Sequence, residues 1–136
     1  MEFIGAKLAL FLGGDLLVIR RDNRPDIPWP DRWDLPGGGR EGAESPEACV
    51  LRETEEEVGL ALAVSDLVWA RSYRQLNGVA WFFAAEMPAE LAAAVRFGDE
   101  GQGWRLMAPG DYLRDPAAIP HFATRVETYL RERDGG

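Results

Sequence analysis

Glu53, Glu55, Glu56 and Glu57 crowd into five consecutive positions, shortly after a glycine run, Gly37-Gly38-Gly39. If the segment is helical, each residue advances by about 100°, so Glu53, Glu56 and Glu57 share one arc about 100° wide. Leu51 and Val58 then lie on the opposite side, with Thr54 between them, and that side suits packing on a sheet. An acidic run is usually just a solvated face. Here the arrangement carries a cost, because like charges three and four apart repel by roughly a few tenths of a kcal/mol per pair. The run also sits in the C-terminal half of the helix, where the dipole disfavours negative charge. Arg52, four before Glu56, offsets part of the repulsion, and a divalent cation would remove it.

Carboxylates without nitrogen or sulfur partners select hard ions, Mg2+ or Mn2+ rather than Zn2+ or copper. The single histidine, His121, and the single cysteine, Cys49, leave no Cys/His zinc set and no internal disulfide. Mg2+ is rarely enclosed by protein alone and usually takes substrate phosphates, so a phosphorylated ligand is the natural partner. Glycines ahead of the helix, Gly37 and Gly38 among them, permit close backbone approach to metal or phosphate. Such a site activates water at a bound ion while a nearby carboxylate accepts the proton, and no covalent nucleophile is required.

The elements that must hold this site are legible in outline. Residues 3 to 12 and 15 to 20 flank a Gly-Gly-Asp turn and read as a hairpin. Pro25, Pro28, Pro30 and Pro36 make residues 21 to 36 a surface loop. Ser45-Pro46 opens the glutamate helix and Gly59 suits its exit. Leu60 to Arg74 and Val79 to Met87 read as strands around Asn77-Gly78, Pro88 to Val95 as a short helix, and Gly103 to Met107 as a short strand. Pro120 to Arg133 closes the chain as a helix with Phe122, Val126 and Leu130 in a stripe. Strands and helices mix without regular alternation, which predicts a mixed β-sheet between helices on both faces.

Length and composition bound the rest. With 136 residues, 46% hydrophobic and 28% charged, the chain fits one self-sufficient domain over residues 1–136. A net charge of -8 disfavours a nucleic-acid polymer or an anionic membrane as partner. The opening MEFIGAKLALFLGG reads as a strand rather than a signal peptide, and no stretch approaches the ~18 apolar residues needed to span a bilayer. A cytoplasmic protein is the expectation.

The segment from Gly38 to Leu60 resembles the Nudix box: Gly, five residues, Glu, seven residues, Arg-Glu, an aliphatic, any residue, Glu-Glu, any residue, Gly, an aliphatic. Gly38, Glu44, Arg52, Glu53, Glu56, Glu57, Gly59 and Leu60 match it in register. Thr54 departs, standing where an aliphatic residue is usual; its hydroxyl is expected to return to a carbonyl three or four residues back. Trp33-Asp34-Leu35-Pro36-Gly37-Gly38, Arg20-Arg21 and Glu100-Gly101-Gln102 resemble flanking features of MutT-type members. The resemblance implies the Nudix α/β/α sandwich and cleavage of a diphosphate linkage in a nucleoside diphosphate joined to a group X. It implies metal ligation by Glu53, Glu56 and Glu57, with the Gly37 carbonyl as a further ligand, and an Arg52 that orients Glu53. Glu44 would serve the metal shell indirectly, and Glu100 would be an outer ligand or the general base, a helix glutamate being the alternative base.

For the substrate, Arg21 is a candidate phosphate contact, against the plain reading of an exposed strand-end arginine. Trp33 and Trp29 are candidate base-stacking rings, although loop tryptophans as often cover the edge of a core. Trp69, Trp81 and Trp104 read as core, and His121 and Cys49 as structural. No proline lies between Gly59 and Pro88, and Tyr73 is too near the box, so the specialised ADP-ribose and dinucleoside signatures are lacking. Nucleoside triphosphates, oxidised ones included, lead, without commitment to 8-oxoguanine, since Asp115 to Ala123 holds no asparagine. A nucleotide-sugar or ADP-ribose hydrolase is the rival enzyme, and a non-catalytic Nudix-fold nucleotide-binding module the rival class. The resemblance also allows a homodimer.

Overall fold

In the computed structural model, residues 2–135 are described. The first two strands, β1 (Gly5–Leu12) and β2 (Asp15–Arg20), form the expected hairpin. They are followed by β3 (Trp33–Asp34), β4 (Gly37–Gly39), helix α1 (Pro46–Val58), β5 (Leu67–Gln75), β6 (Gly78–Met87), β7 (Gly103–Met107), α2 (Pro109–Arg114) and α3 (Pro120–Arg133). The sheet runs β3-β2-β1-β6-β5, with β4 also paired to β1 and β7 to β2. β1 pairs β6 in parallel and its other neighbours antiparallel, so the sheet is mixed.

Alternation along the central strands divides the core in two. Leu8, Leu10, Leu17 and Phe83 face α1 and pack with Cys49, Val50 and Val58. Ala9, Phe11, Val18 and Phe82 face the other way, onto Tyr112 of α2 and Phe122, Val126 and Tyr129 of α3. Both faces of β1 and β6 are covered, which accounts for their nearly unbroken apolar runs. This is the α/β/α sandwich that the sequence predicts.

The local differences have identifiable causes. Residues 60 to 66 are not strand: β5 begins at Leu67, after a 3-10 turn over Val64–Asp66. The predicted helix at 88 to 95 is a 3-10 segment over Ala89–Ala94 with no buried residue, too short to present an apolar stripe. The proline loop ends in β3, and the glycine run forms β4, because both are paired by distant strands. Helix α2 has only six residues, too few to show a period.

Candidate active site

Helix α1 starts where the sequence indicates. Ser45 Oγ accepts from the Ala48 N–H at 3.1 Å, and Pro46 occupies the first turn, where its missing N–H costs nothing. At the other end Gly59 is left-handed, φ 73°, and its N–H donates to the Glu55 carbonyl. The next orphan carbonyls are taken by the loop between β6 and β7: Arg96 N–H donates to Val58 O and Gly98 N–H to Glu57 O, both at 2.8 Å. That docking brings Asp99 and Glu100 beside the helix glutamates.

Arg52 organises the acidic face. Its Nε and Nη2 donate to the two carboxylate oxygens of Glu44 at 3.1 and 2.8 Å, and Nη2 also donates to the Gly39 carbonyl at 2.9 Å. Nη1 reaches Glu53 and Glu56 at 3.2 Å. The guanidinium bonds hold the Glu44 carboxyl down at about 2, aided by the Glu41 N–H, and in return the arginine is held well above its usual range. Glu44 thus acts on the face through Arg52. Gly38 lets the strand close on the helix: a Cβ there would lie 2.6 Å from the Glu53 carboxyl carbon.

Glu57 points under the glycine strand, where it accepts from the Gly37 N–H at 2.9 Å. Burial drives its carboxyl up to about 7, against the opposing pull of Lys7 and of that N–H. Burial likewise raises Glu53, with Arg52 opposing. Beside them lies a network that spacing did not reveal. Lys7 Nζ donates to Asp34 and to the Leu35 and Gly37 carbonyls at 3.1 to 3.2 Å, while Arg21 Nη1 binds Asp34 Oδ2 at 2.9 Å. Asp34 is 5% exposed and also accepts from the Leu35 N–H, so it is a paired buried charge.

Glu53, Glu56, Glu57, Asp99 and Glu100 alone line a cavity of about 320 Å3. All five lining residues are acidic, and carboxylate oxygens are the donors a hard divalent ion requires. Burial raises the Glu53 and Glu57 carboxyls even though Arg52 and Lys7 pull them down. Among the described residues no three acidic, histidine or cysteine side chains converge on one ion position. Arg52 and the Gly37 N–H hold the oxygens that such an ion would use. The donor set fits Mg2+ or Mn2+ in chemistry, with protein donors holding the carboxylates in this arrangement.

The other sequence candidates fall in several places. Arg21, Glu57 and Glu100 line a smaller cavity of about 120 Å3, but Arg21 already bonds Asp34 and, through Nε, the Pro28 carbonyl. The Gly37 carbonyl accepts from Lys7, and a carbonyl keeps a second lone pair. The guanidinium carbons of Arg20 and Arg105 lie 4.8 and 5.3 Å from the Trp33 ring, which lines neither the carboxylate cavity nor the cleft beside it. Leu60 is buried in the core facing α1. Thr54 is fully buried and its Oγ1 has no hydrogen-bond partner, so the expected return to a helix carbonyl is not made. Cys49 is buried too, and desolvation pushes its thiol up to about 11, the state of an inert packed side chain. Lys7 and Asp34 were missed; the one available signal was a lone lysine inside the apolar run of β1.

An α/β/α sandwich whose box helix lines a carboxylate cavity defines a pyrophosphohydrolase of the Nudix type. The chain belongs to the Nudix hydrolase family, with the NUDIX domain matched over residues 4–125. It is 30% identical over 125 residues to an RNA pyrophosphohydrolase of Acidiphilium cryptum, covering 88% of this chain and 69% of the relative. Its fold is similar to a MutT protein from Methanosarcina mazei, with TM-score 0.76, 21% identity and coverage of 96% and 95%. It is also similar to an Ap4A hydrolase of C. elegans, with TM-score 0.75, 16% identity and coverage of 97% and 99%.

Proposed function

We propose that this enzyme hydrolyses a diphosphate linkage in nucleoside diphosphate-X compounds, with ribo- or deoxyribonucleoside triphosphates as the leading substrates and Mg2+ or Mn2+ as cofactor. The observation that carries this reading is the cavity lined solely by Glu53, Glu56, Glu57, Asp99 and Glu100. A divalent ion held by Glu53, Glu56 and Glu57 would neutralise diphosphate oxygens and lower the pKa of a water. The chain's own residues do the remaining work. Arg52, fixed by Glu44, orients Glu53 and Glu56; the Gly37 N–H fixes Glu57; Glu100, on a separate loop, is an outer ligand or the proton acceptor. The glycine strand supplies backbone at close range for phosphate oxygens.

A second reading follows from the relative named RNA pyrophosphohydrolase, in which group X is the remainder of an RNA 5′ end. The net charge of -8 opposes a long polyanionic contact and favours the free nucleotide. Nucleotide sugars, ADP-ribose and dinucleoside polyphosphates complete the test panel. Each is assayed with Mg2+ and with Mn2+, and the phosphate or pyrophosphate released is identified. Fastest turnover of triphosphates supports the reading. Faster turnover of a sugar diphosphate or of 5′-triphosphorylated RNA replaces the substrate, and binding without turnover of any of them replaces the enzyme with a binding module.

A further inference from the structure

Beyond the glycine strand from the carboxylates, a cleft of about 190 Å3 opens between the start of β1, the end of β5 and α3. Its walls include Ile4, Trp81, His121 and Phe122, with Lys7 and Arg125 as the cations. Gly38 belongs both to this cleft and to the close contact with Glu53, so the cleft is within reach of a ligand whose diphosphate lies over the carboxylates. The volume is below the ~300–1,000 Å3 of pockets that enclose whole drug-sized ligands, so one ring system fits rather than a complete nucleotide.

Arg125 is the unusual element of this cleft. It is only 8% exposed, yet among the described residues it makes no ion pair. Its one hydrogen bond runs from Nη2 to the Gln75 side-chain oxygen at 3.1 Å, and its guanidinium lies 4.1 Å from the Tyr73 ring centroid. A buried cation is normally matched by a carboxylate, and leaving its donors unmatched is expensive. The remaining N–H groups are not sealed in, because Thr54 Oγ1 is the one fully buried side-chain polar atom without a partner among the described residues. They therefore retain access to solvent, and the cleft is the cavity that Arg125 lines. Stacking on Tyr73 and the bond to Gln75 fix the plane of the fork. Lys7, the other cation, is already committed to Asp34 and two carbonyls.

We propose that Arg125 is a specificity-determining residue that presents its free guanidinium donors to a ring with two adjacent acceptors, selecting guanine through O6 and N7. Aromatic and aliphatic walls suit a flat base ring better than a phosphate, whose two charges would meet one free cation here, Lys7 being committed. Adenine places an amino group beside N7 and so turns a donor toward the arginine. Guanine oxidised at C8 carries a hydrogen on N7, which converts the second acceptor to a donor, so the cleft rejects it. The inference rests on the reading of the protein as a nucleotide hydrolase, and its test is independent of turnover.

The test is calorimetric titration of the whole protein with GMP, AMP, 7-deaza-GMP and 8-oxo-GMP in the presence of Mg2+, repeated on Arg125→Lys and Arg125→Met. In the wild type, GMP binds about tenfold to a hundredfold more tightly than each of the other three. Both variants lose that preference, Arg125→Lys because it keeps the charge without the planar fork. Equal or undetectable binding of GMP and 7-deaza-GMP, or a preference that survives in Arg125→Lys, overturns the proposal. If a variant does not fold, the wild-type comparison of GMP with 7-deaza-GMP decides alone. Loss of inorganic phosphate binding in Arg125→Lys, with base preference absent, would assign the arginine to a phosphate instead. Preference for GMP without hydrolysis of any triphosphate would leave this inference standing and remove the enzymatic reading.

Discussion

Arg52 clamps Glu44 through two hydrogen bonds, Nη2 to Oε1 at 2.8 Å and Nε to Oε2 at 3.1 Å, and this turns its third nitrogen toward Glu53 and Glu56. A bidentate pair fixes the guanidinium plane, which a single contact would not. Glu44 lies eight residues before Arg52 and outside the helix, so the acidic face is oriented from the strand side of the molecule.

Removing one oxygen of that clamp therefore differs from removing a cavity carboxylate. Glu44→Gln offers the arginine an amide in place of one acceptor, and turnover with Mg2+ falls about 10–100-fold, the usual cost of losing an outer-shell partner. Glu56→Gln and Glu57→Gln keep the shape of the helix but remove a carboxylate proposed to hold the metal, and each falls further, by orders of magnitude, with the circular dichroism spectrum unchanged. Steady-state rates of the three variants check the ranking. A Glu44→Gln protein as inactive as Glu57→Gln would make Glu44 a ligand in its own right, and wild-type rates in Glu56→Gln and Glu57→Gln would end the metal assignment.

His121, the only histidine, reports on the cleft. Burial holds its pKa below the ordinary 6.5, and the nearby Arg125 charge adds to the effect. The folded chain thus takes up this proton less readily than the unfolded chain. Stability from His121 is fully present above pH 6.5 and is lost as pH falls through the lowered value. Because no other imidazole interferes, NMR titration of the ring protons reads the midpoint directly. It falls below 6.5 in the wild type and moves up in Arg125→Met. A midpoint at or above 6.5 would mean that His121 is solvated rather than packed against the cleft.

Thr54 is the one departure from the box, and its buried hydroxyl has no partner. Thr54→Val removes that unmatched group, keeps the β-branched shape, and stabilises the fold by about 1 kcal/mol. Thermal unfolding of the metal-free protein rises by roughly 3–5 °C. A lower midpoint would show that the hydroxyl finds a partner in solution.

Periodicity and punctuation are local properties, and the features that depend on them were legible. Ser45-Pro46, the three-glutamate arc and Gly59 define α1 within a residue at each end, because capping and helical phase are decided by near neighbours. The nearly unbroken apolar runs of β1, β2 and β6 fit a sheet covered on both faces. Two-residue β3 and three-residue β4 left no such trace, since each exists only through a partner strand far away in the chain.

The sequence alone determined which atoms are available for chemistry: oxygen donors at Glu53, Glu56 and Glu57, and no nitrogen or sulfur set to rival them. Only the tertiary structure decided that Asp99 lies with them beside Glu100, that Lys7 and Arg21 meet at Asp34, and that Arg125 is buried without a counterion among the described residues. Arg21 and Lys7 lie 13 and 27 positions from Asp34, and Asp99 is farther still from the helix glutamates. Burial and charge compensation are set by what the folded chain brings within a few ångströms, and a linear spacing does not contain that distance.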